Sequence, residues 1–132
     1  MTRLIIGYLL TALVFFAIDL VWLGLVARGL YQRYLGHLLG DVNWGAALIF
    51  YLLFIVGIFI FAIMPAVDRE SAGRALLMGA LFGFFTYATY DLTNLATLEG
   101  WPLGIVFIDI AWGIVLTGTV ALAGYHIMSW LA

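Results

Sequence analysis

LIIGYLLTALVFFAIDLVWLGLV, residues 4 to 26, is a run of 23 residues with a single charge, Asp19, inside it. A helix rises about 1.5 Å per residue and the hydrocarbon core of a bilayer is about 30 Å thick, so a run of this length crosses a membrane. It is longer than the apolar part of a cleaved leader, carries a carboxylate and has no small-x-small pattern before Arg28, and so reads as a permanent span. Three comparable runs follow. Gly45 to Met64 is free of charge and stops at Pro65. Ala75 to Leu98 turns polar in its last third, and Leu103 to Met128 carries Asp109. Backbone groups in lipid find no water, which makes each run a helix, and none shows the alternation over about ten residues that marks a barrel strand. The reading is all-α: one transmembrane domain, residues 1–132, with four helices in a bundle at about 4–26, 45–64, 75–98 and 103–128.

Composition supports this from the other direction. The chain is 67% apolar and 9% charged, and its mean hydropathy is +1.20. A soluble domain of this length cannot hide so much apolar surface. A formal net charge of −2 with five Lys+Arg excludes a phosphate track, and with it nucleic acid. With no cysteine, disulfides and thiolate chemistry are excluded as well.

The connections differ in kind. In residues 27–44, ARGLYQRYLGHLLGDVNW, helical spacing sets Leu30, Tyr34, Leu38 and Val42 opposite Arg28, Arg33 and His37, which predicts a short amphipathic helix in the interface. Residues 65–74 read as a polar turn and Glu99 to Pro102 as a tight one. Four spans put both termini on one side. There Arg3, Arg69 and Arg74 outnumber Arg28 and Arg33 opposite, a bias toward cytoplasmic termini.

A carboxylate inside a span costs several kcal/mol unless it is paired, protonated or facing water. Asp19 and Asp91 each lie seven residues before the end of their spans, and Asp109 six after the start of its own. All three therefore sit about 10 Å inside the same membrane face. Tyr51, six residues into the second span, reaches that level from the fourth wall. Trp22, Asn94 and Trp112 follow the three aspartates at i+3, and Tyr87 precedes Asp91 at i−4, so each group shares a helix face. Turned inward, with Tyr90 beside them, these residues build a pocket of carboxyls, an amide, phenols and indoles. Three carboxyls there are expected to titrate together, with a proton or a cation among them. If a metal is held, Asp19, Asp91 and Asp109 are its ligands and a hard ion such as Mg²⁺, Ca²⁺ or Mn²⁺ suits them. Arg28, Arg33 and His37 are candidates for a lid or for headgroup contacts.

The plainer reading is that the aspartates pin helices together, with Gly79, Gly83, Gly113 and Gly118 allowing close backbone approach. Trp44, Trp101 and Trp130 fall near span ends as belt residues, and His37 and His126 stand alone without metal-ligand spacing. Ile18 to Trp22 (IDLVW) matches Ile108 to Trp112 (IDIAW), while Asp19 to Leu23 also resembles Asp91 to Leu95. As traces of a duplication these pairings exclude each other, and both read as chance. No nucleotide-binding, P-loop, zinc-protease or Ser-His-Asp pattern is present, so no cofactor is evident.

The segments FFAIDLVWLGLVARGLYQRYLGHLL, NWGAALIFYLL, TYATYDLTNLATLEGWP and IDIAWG resemble a bacterial domain-of-unknown-function family, number 2177, of small four-helix membrane proteins. The resemblance covers nearly the whole chain, and YDLTNLATL ending in GWP is its most specific part. It implies four spans in the inner membrane and carries no catalytic residue over. Three functions compete on these residues. The favoured one is a binding or transport module for a proton, a cation or a small amphipathic ligand. The second is a membrane enzyme working on a lipid or isoprenoid by Asp acid–base catalysis, and the third an accessory subunit of a larger complex. Membrane lipids are the expected partners, with a second copy or a larger complex where carriage is involved.

Overall fold

A computed structural model covers residues 1–132, described throughout except for the Val26 side chain. All of its regular secondary structure is helical, and its described residues contain no strand. Four helices are long and apolar enough to cross a membrane: Thr2–Leu25, Trp44–Asp68, Ala72–Thr97 and Leu103–Leu131. The first, α1, is α-helical over Thr2–Val21 and passes through a π-helical turn, Trp22–Val26, in which the Ala27 amide donates to the Trp22 carbonyl at 2.7 Å. The chain then turns at buried Ala27 into a short helix, α2 (Arg28–Leu35). The third and fourth, α3 (Trp44–Asp68) and α4 (Ala72–Thr97), are followed by α5 (Leu103–Leu131).

Two expectations need correction. The second span does not stop at Pro65, nor are residues 65–74 one turn: α3 runs on to Asp68, and only residues 69–71 separate it from α4. Proline lacks an N–H and its ring collides with the carbonyl four residues back. Here a π-helical turn, Phe59–Ile63, precedes it and widens the helix where the collision would fall. The second correction concerns residues 27–44. Only Arg28–Leu35 is helical at length, and Leu38 and Val42 are exposed. The inward stripe is Leu30, Tyr31, Tyr34 and Leu35, all half-buried. The segment ends at Asn43, whose side chain accepts from the Ala46 amide at 3.1 Å and caps α3. Ser71 caps α4 in the same way through the Arg74 amide. Between α4 and α5 the tight turn depends on Gly100, whose φ of 73° lies in the left-handed region.

The spans form a ring in which α1 touches α3 and α5, and α4 touches α5 along its length and α3 at the π turn. α1 and α5 run antiparallel: Gly7 meets Met128, Gly124 meets Thr11, and Asp19 meets Trp112. The α4–α5 seam is written at i+4 spacing. Gly79, Gly83, Tyr87 and Asp91 form one row on α4; Asp109, Gly113, Thr117 and Ala121 form the facing row on α5. A Cβ added to Gly79 would stand 2.5 Å from Ala121 Cβ, and one on Gly83 would stand 2.8 Å from the Gly113 carbonyl carbon. The small residues thus let the backbones touch, and the two rows end in a pair of aspartates. Phe15, Ile55, Ile58, Ile63, Leu116 and Val120 are completely buried in the middle of the bundle. Above them the start of α3, residues 44–53, is exposed apart from Ala47 and Tyr51, so the ring stays open at that end.

Candidate functional site

Where the ring opens, the I-D-x-x-W motifs of α1 and α5 lie side by side in opposite directions. Antiparallel helices place an aspartate of one level with the tryptophan three residues on in the other, and each indole then crosses toward the partner helix. Trp22 and Trp112 stack with ring centroids 4.3 Å apart and planes 6° from parallel. Trp112 Nε1 donates to Asp19 Oδ1 at 3.3 Å. Trp22 Nε1 donates to the Tyr31 hydroxyl at 3.4 Å, and that hydroxyl donates to Asp109 Oδ1 at 2.9 Å. Tyr51 of α3 completes the set, donating to Asp19 Oδ2 at 3.1 Å. One indole thus reaches the opposite aspartate directly and the other through a phenol.

These residues wall a cavity of about 380 Å³. Asp19, Trp22 and Leu23 line it from α1, Tyr31 from α2, Phe50, Tyr51 and Phe54 from α3, Thr86, Tyr87 and Tyr90 from α4, and Asp109 and Trp112 from α5. Aromatic rings supply most of the wall, and among the described residues no arginine, lysine or histidine takes part. The exposed members are Leu23, Phe50 at 51% and Tyr90 at 56%, which marks them as the rim. Tyr90 is backed by Trp101, edge to face at 5.9 Å. Tyr34, one turn beyond Tyr31, packs over Gly104, where an added Cβ would come within 2.9 Å of its hydroxyl. This contact fixes α2 across the start of α5. Burial, and next the negative Asp109 beside it, hold the Tyr31 phenol above its ordinary value, so it stays a neutral donor.

Asp91 is placed differently from the other two carboxylates. It is fully buried, neither oxygen has a hydrogen-bond partner, and it does not line the cavity. The carboxyl it faces is that of Asp109 across the seam. The three aspartates therefore do not converge: the indoles lie between Asp19 and Asp109, and Asp91 lies behind Asp109. Among the described residues no group of three His, Cys, Asp or Glu side chains is set to hold a metal ion.

Residues 4–126 match the sequence profile of a family described as "Predicted membrane protein (DUF2177)". The chain belongs to the DUF2177 family. Neither a curated protein nor a solved structure matches it. Membership and four apolar helices together make this DUF2177 chain a multi-pass membrane protein.

Of the residues singled out in the sequence, seven line the cavity: Asp19, Trp22, Tyr51, Tyr87, Tyr90, Asp109 and Trp112. Asp91 stands behind it, and Asn94 is half-buried one turn further along α4, off the lining. Arg28, Arg33 and His37 are exposed on the outer side of α2 and the loop after it, away from the cavity. The sequence reading missed Tyr31, which links α1, α2 and α5. Its signal was available, since Leu30, Tyr31, Tyr34 and Leu35 form an i, i+1, i+4, i+5 stripe as regular as the one chosen. Leu23, Phe50, Phe54 and Thr86 were also missed, being indistinguishable by type from lipid-facing neighbours.

Proposed function

We propose that this DUF2177 protein is a ligand-binding module of the membrane. Its cavity takes a small amphipathic ligand, apolar body among the aromatic rings and cationic head against Asp109. The observation that carries this reading is the cavity itself: a space of about 380 Å³ with two carboxylates in an aromatic wall and no cationic side chain. That size falls in the range of small-ligand pockets, about 300–1,000 Å³. Carboxylates below the headgroups need positive charge or protons, and aromatic faces attract cations. Asp19 has both oxygens occupied by donors from Tyr51 and Trp112, whereas Asp109 takes one donor, from Tyr31. Asp109 is thus the anchor and Asp19 a shaping residue.

The same geometry weighs against the other readings. Aspartates that served only to pin helices would need no lined cavity beside them, and an Asp19 saturated with donors is a poor general base. The rim at Leu23, Phe50 and Tyr90 favours entry from the bilayer. We place the protein in a bacterial inner membrane with cytoplasmic termini, supported by the three-to-two arginine excess at the terminal end. The cavity then belongs to the outer half of the bilayer. Transport would require a second copy or a larger complex, because four helices leave little room for a lined pathway with two gates.

Tryptophan fluorescence of the protein in lipid nanodiscs, titrated with hexyltrimethylammonium, tests this. A saturable change is expected, weakened about tenfold or more in Asp109→Asn (about 1.4 kcal/mol) and not competed by hexanol. A linear response, identical in the variant, would mean simple partitioning and would remove the reading.

A further inference from the structure

We infer that cation binding in this cavity is coupled to release of one proton held between Asp91 and Asp109. The inference rests on the binding reading above and adds its regulation. Three observations lead to it. Asp91 is fully buried with both oxygens lacking a hydrogen-bond partner, and the carboxyl it faces is that of Asp109. Two carboxylates side by side away from water repel, while one proton between them turns the repulsion into a hydrogen bond. Secondly, among the described residues no cationic side chain stands at the pair. The titratable groups around the pair are Tyr31 from α2, Asp19 from α1, and Tyr87 and Tyr90 from α4 itself, with Tyr51 of α3 beyond them against Asp19. All are acids, so positive charge at the pair comes only as a proton or as a ligand. Thirdly, Asp109 lines the cavity and Asp91 does not. A ligand's cationic head reaches Asp109 alone, while the proton resides on the side away from the ligand.

The exchange balances. With the cavity empty the pair shares one proton and one negative charge. When a monocation settles against Asp109, the O–H bond of the pair breaks and its proton passes to bulk water. Both carboxylates are then ionised, and the cation against Asp109 supplies the positive charge that the proton supplied before, so the site keeps its net charge. The proton and the ligand compete through the charge of Asp109 without occupying the same point, a coupling that works in both directions.

The test uses the whole protein in weakly buffered nanodiscs with a pH indicator, and hexyltrimethylammonium as probe. Release approaching one proton per bound probe is expected, with affinity rising about tenfold per pH unit wherever the empty pair is protonated. In Asp91→Asn the amide cannot hold the proton but donates to Asp109, so release falls to near zero and the affinity becomes independent of pH. Saturable binding without proton release in the wild type would overturn the coupling and leave the binding reading standing. Undiminished release in Asp91→Asn would also overturn it, by placing the proton elsewhere. Absence of saturable binding at every pH between about 6 and about 9 would end both. Should Asp91→Asn fail to fold, the wild-type pH profile decides alone: a flat affinity refutes the coupling.

Discussion

Replacing Gly83 by alanine tests the seam that brings Asp91 against Asp109. The added methyl carbon would stand 2.8 Å from the Gly113 carbonyl carbon and 2.8 Å from Thr117 Cβ. Ordinary contact begins near 3.4 Å, and neither a backbone atom nor a Cβ can rotate away. The helices must therefore separate locally by more than half an ångström. Gaps of about 0.5–1 Å forfeit a quarter to a half of each dispersion contact, and overpacking of this kind costs about 1–3 kcal/mol. Alanine returns up to about 1 kcal/mol of helix propensity, which leaves Gly83→Ala less stable by up to about 2 kcal/mol. Gly118→Ala is the matched control on the same helix pair. There the nearest atoms, Ala80 Cβ, Leu76 Cδ1 and the Leu76 carbonyl oxygen, all stand at 3.4 Å, so the methyl fits and the propensity gain remains. The two variants should differ by about 2 kcal/mol, roughly thirtyfold in the unfolding equilibrium. Reversible unfolding in mixed detergent micelles, followed by tryptophan fluorescence, reads the difference. Equal midpoints, or Gly118→Ala as the weaker protein, would refute the close-packed seam. Loosening it should also weaken proton release on probe binding, because Asp91 moves away from Asp109.

Other residues give sharper local tests. Tyr31→Phe removes the hydroxyl that joins Trp22 to Asp109 and should lower stability by about 1–3 kcal/mol, the penalty for leaving a buried acceptor short of a donor. Because the Tyr31 phenol is held above its ordinary value, its contribution is full below about pH 10 and is lost as pH rises above it, where the unfolded chain ionises and the folded one does not. Stability measured from about pH 9 to about pH 11 should therefore fall less in Tyr31→Phe than in the wild type; parallel curves would count against that environment. Indoles stacked at 4.3 Å and 6° should couple in circular dichroism. Either Trp22→Phe or Trp112→Phe should abolish the couplet, and its survival in either variant would contradict the stack.

The fold was readable because the bilayer imposes a length. Four apolar runs of the right extent, each with at most one aspartate inside it, admit only helices, and the depth of Asp19, Tyr51, Asp91 and Asp109 follows from counting residues at about 1.5 Å each. Rotation about each helix axis is not fixed by counting. That is why the three aspartates could be placed in one layer yet not divided into a donor-saturated Asp19, a cavity-facing Asp109 and an orphaned Asp91. The two IDxxW motifs read as chance repetition, although their antiparallel geometry is what lets the indoles cross. Tyr31 was hidden by a choice between two equally periodic faces of α2 that share Leu30 and Tyr34, and the hydrogen bond of Tyr31 to Asp109, with Leu38 and Val42 exposed, decides between them. The continuation of α3 through Pro65 depends on a π turn, which leaves no mark in hydrophobic patterning.

The most direct test of the cavity as a ligand site is photolabelling of the protein in nanodiscs with a diazirine-bearing alkyltrimethylammonium, followed by mapping of the adducts. Labels should concentrate on Phe50, Phe54, Tyr87 and Tyr90, and be suppressed by excess hexyltrimethylammonium. Labels spread over the outward-facing Leu9, Leu13, Phe61 and Phe107, unaffected by that competitor, would show that the cation dissolves in the surrounding lipid and that the cavity holds no ligand.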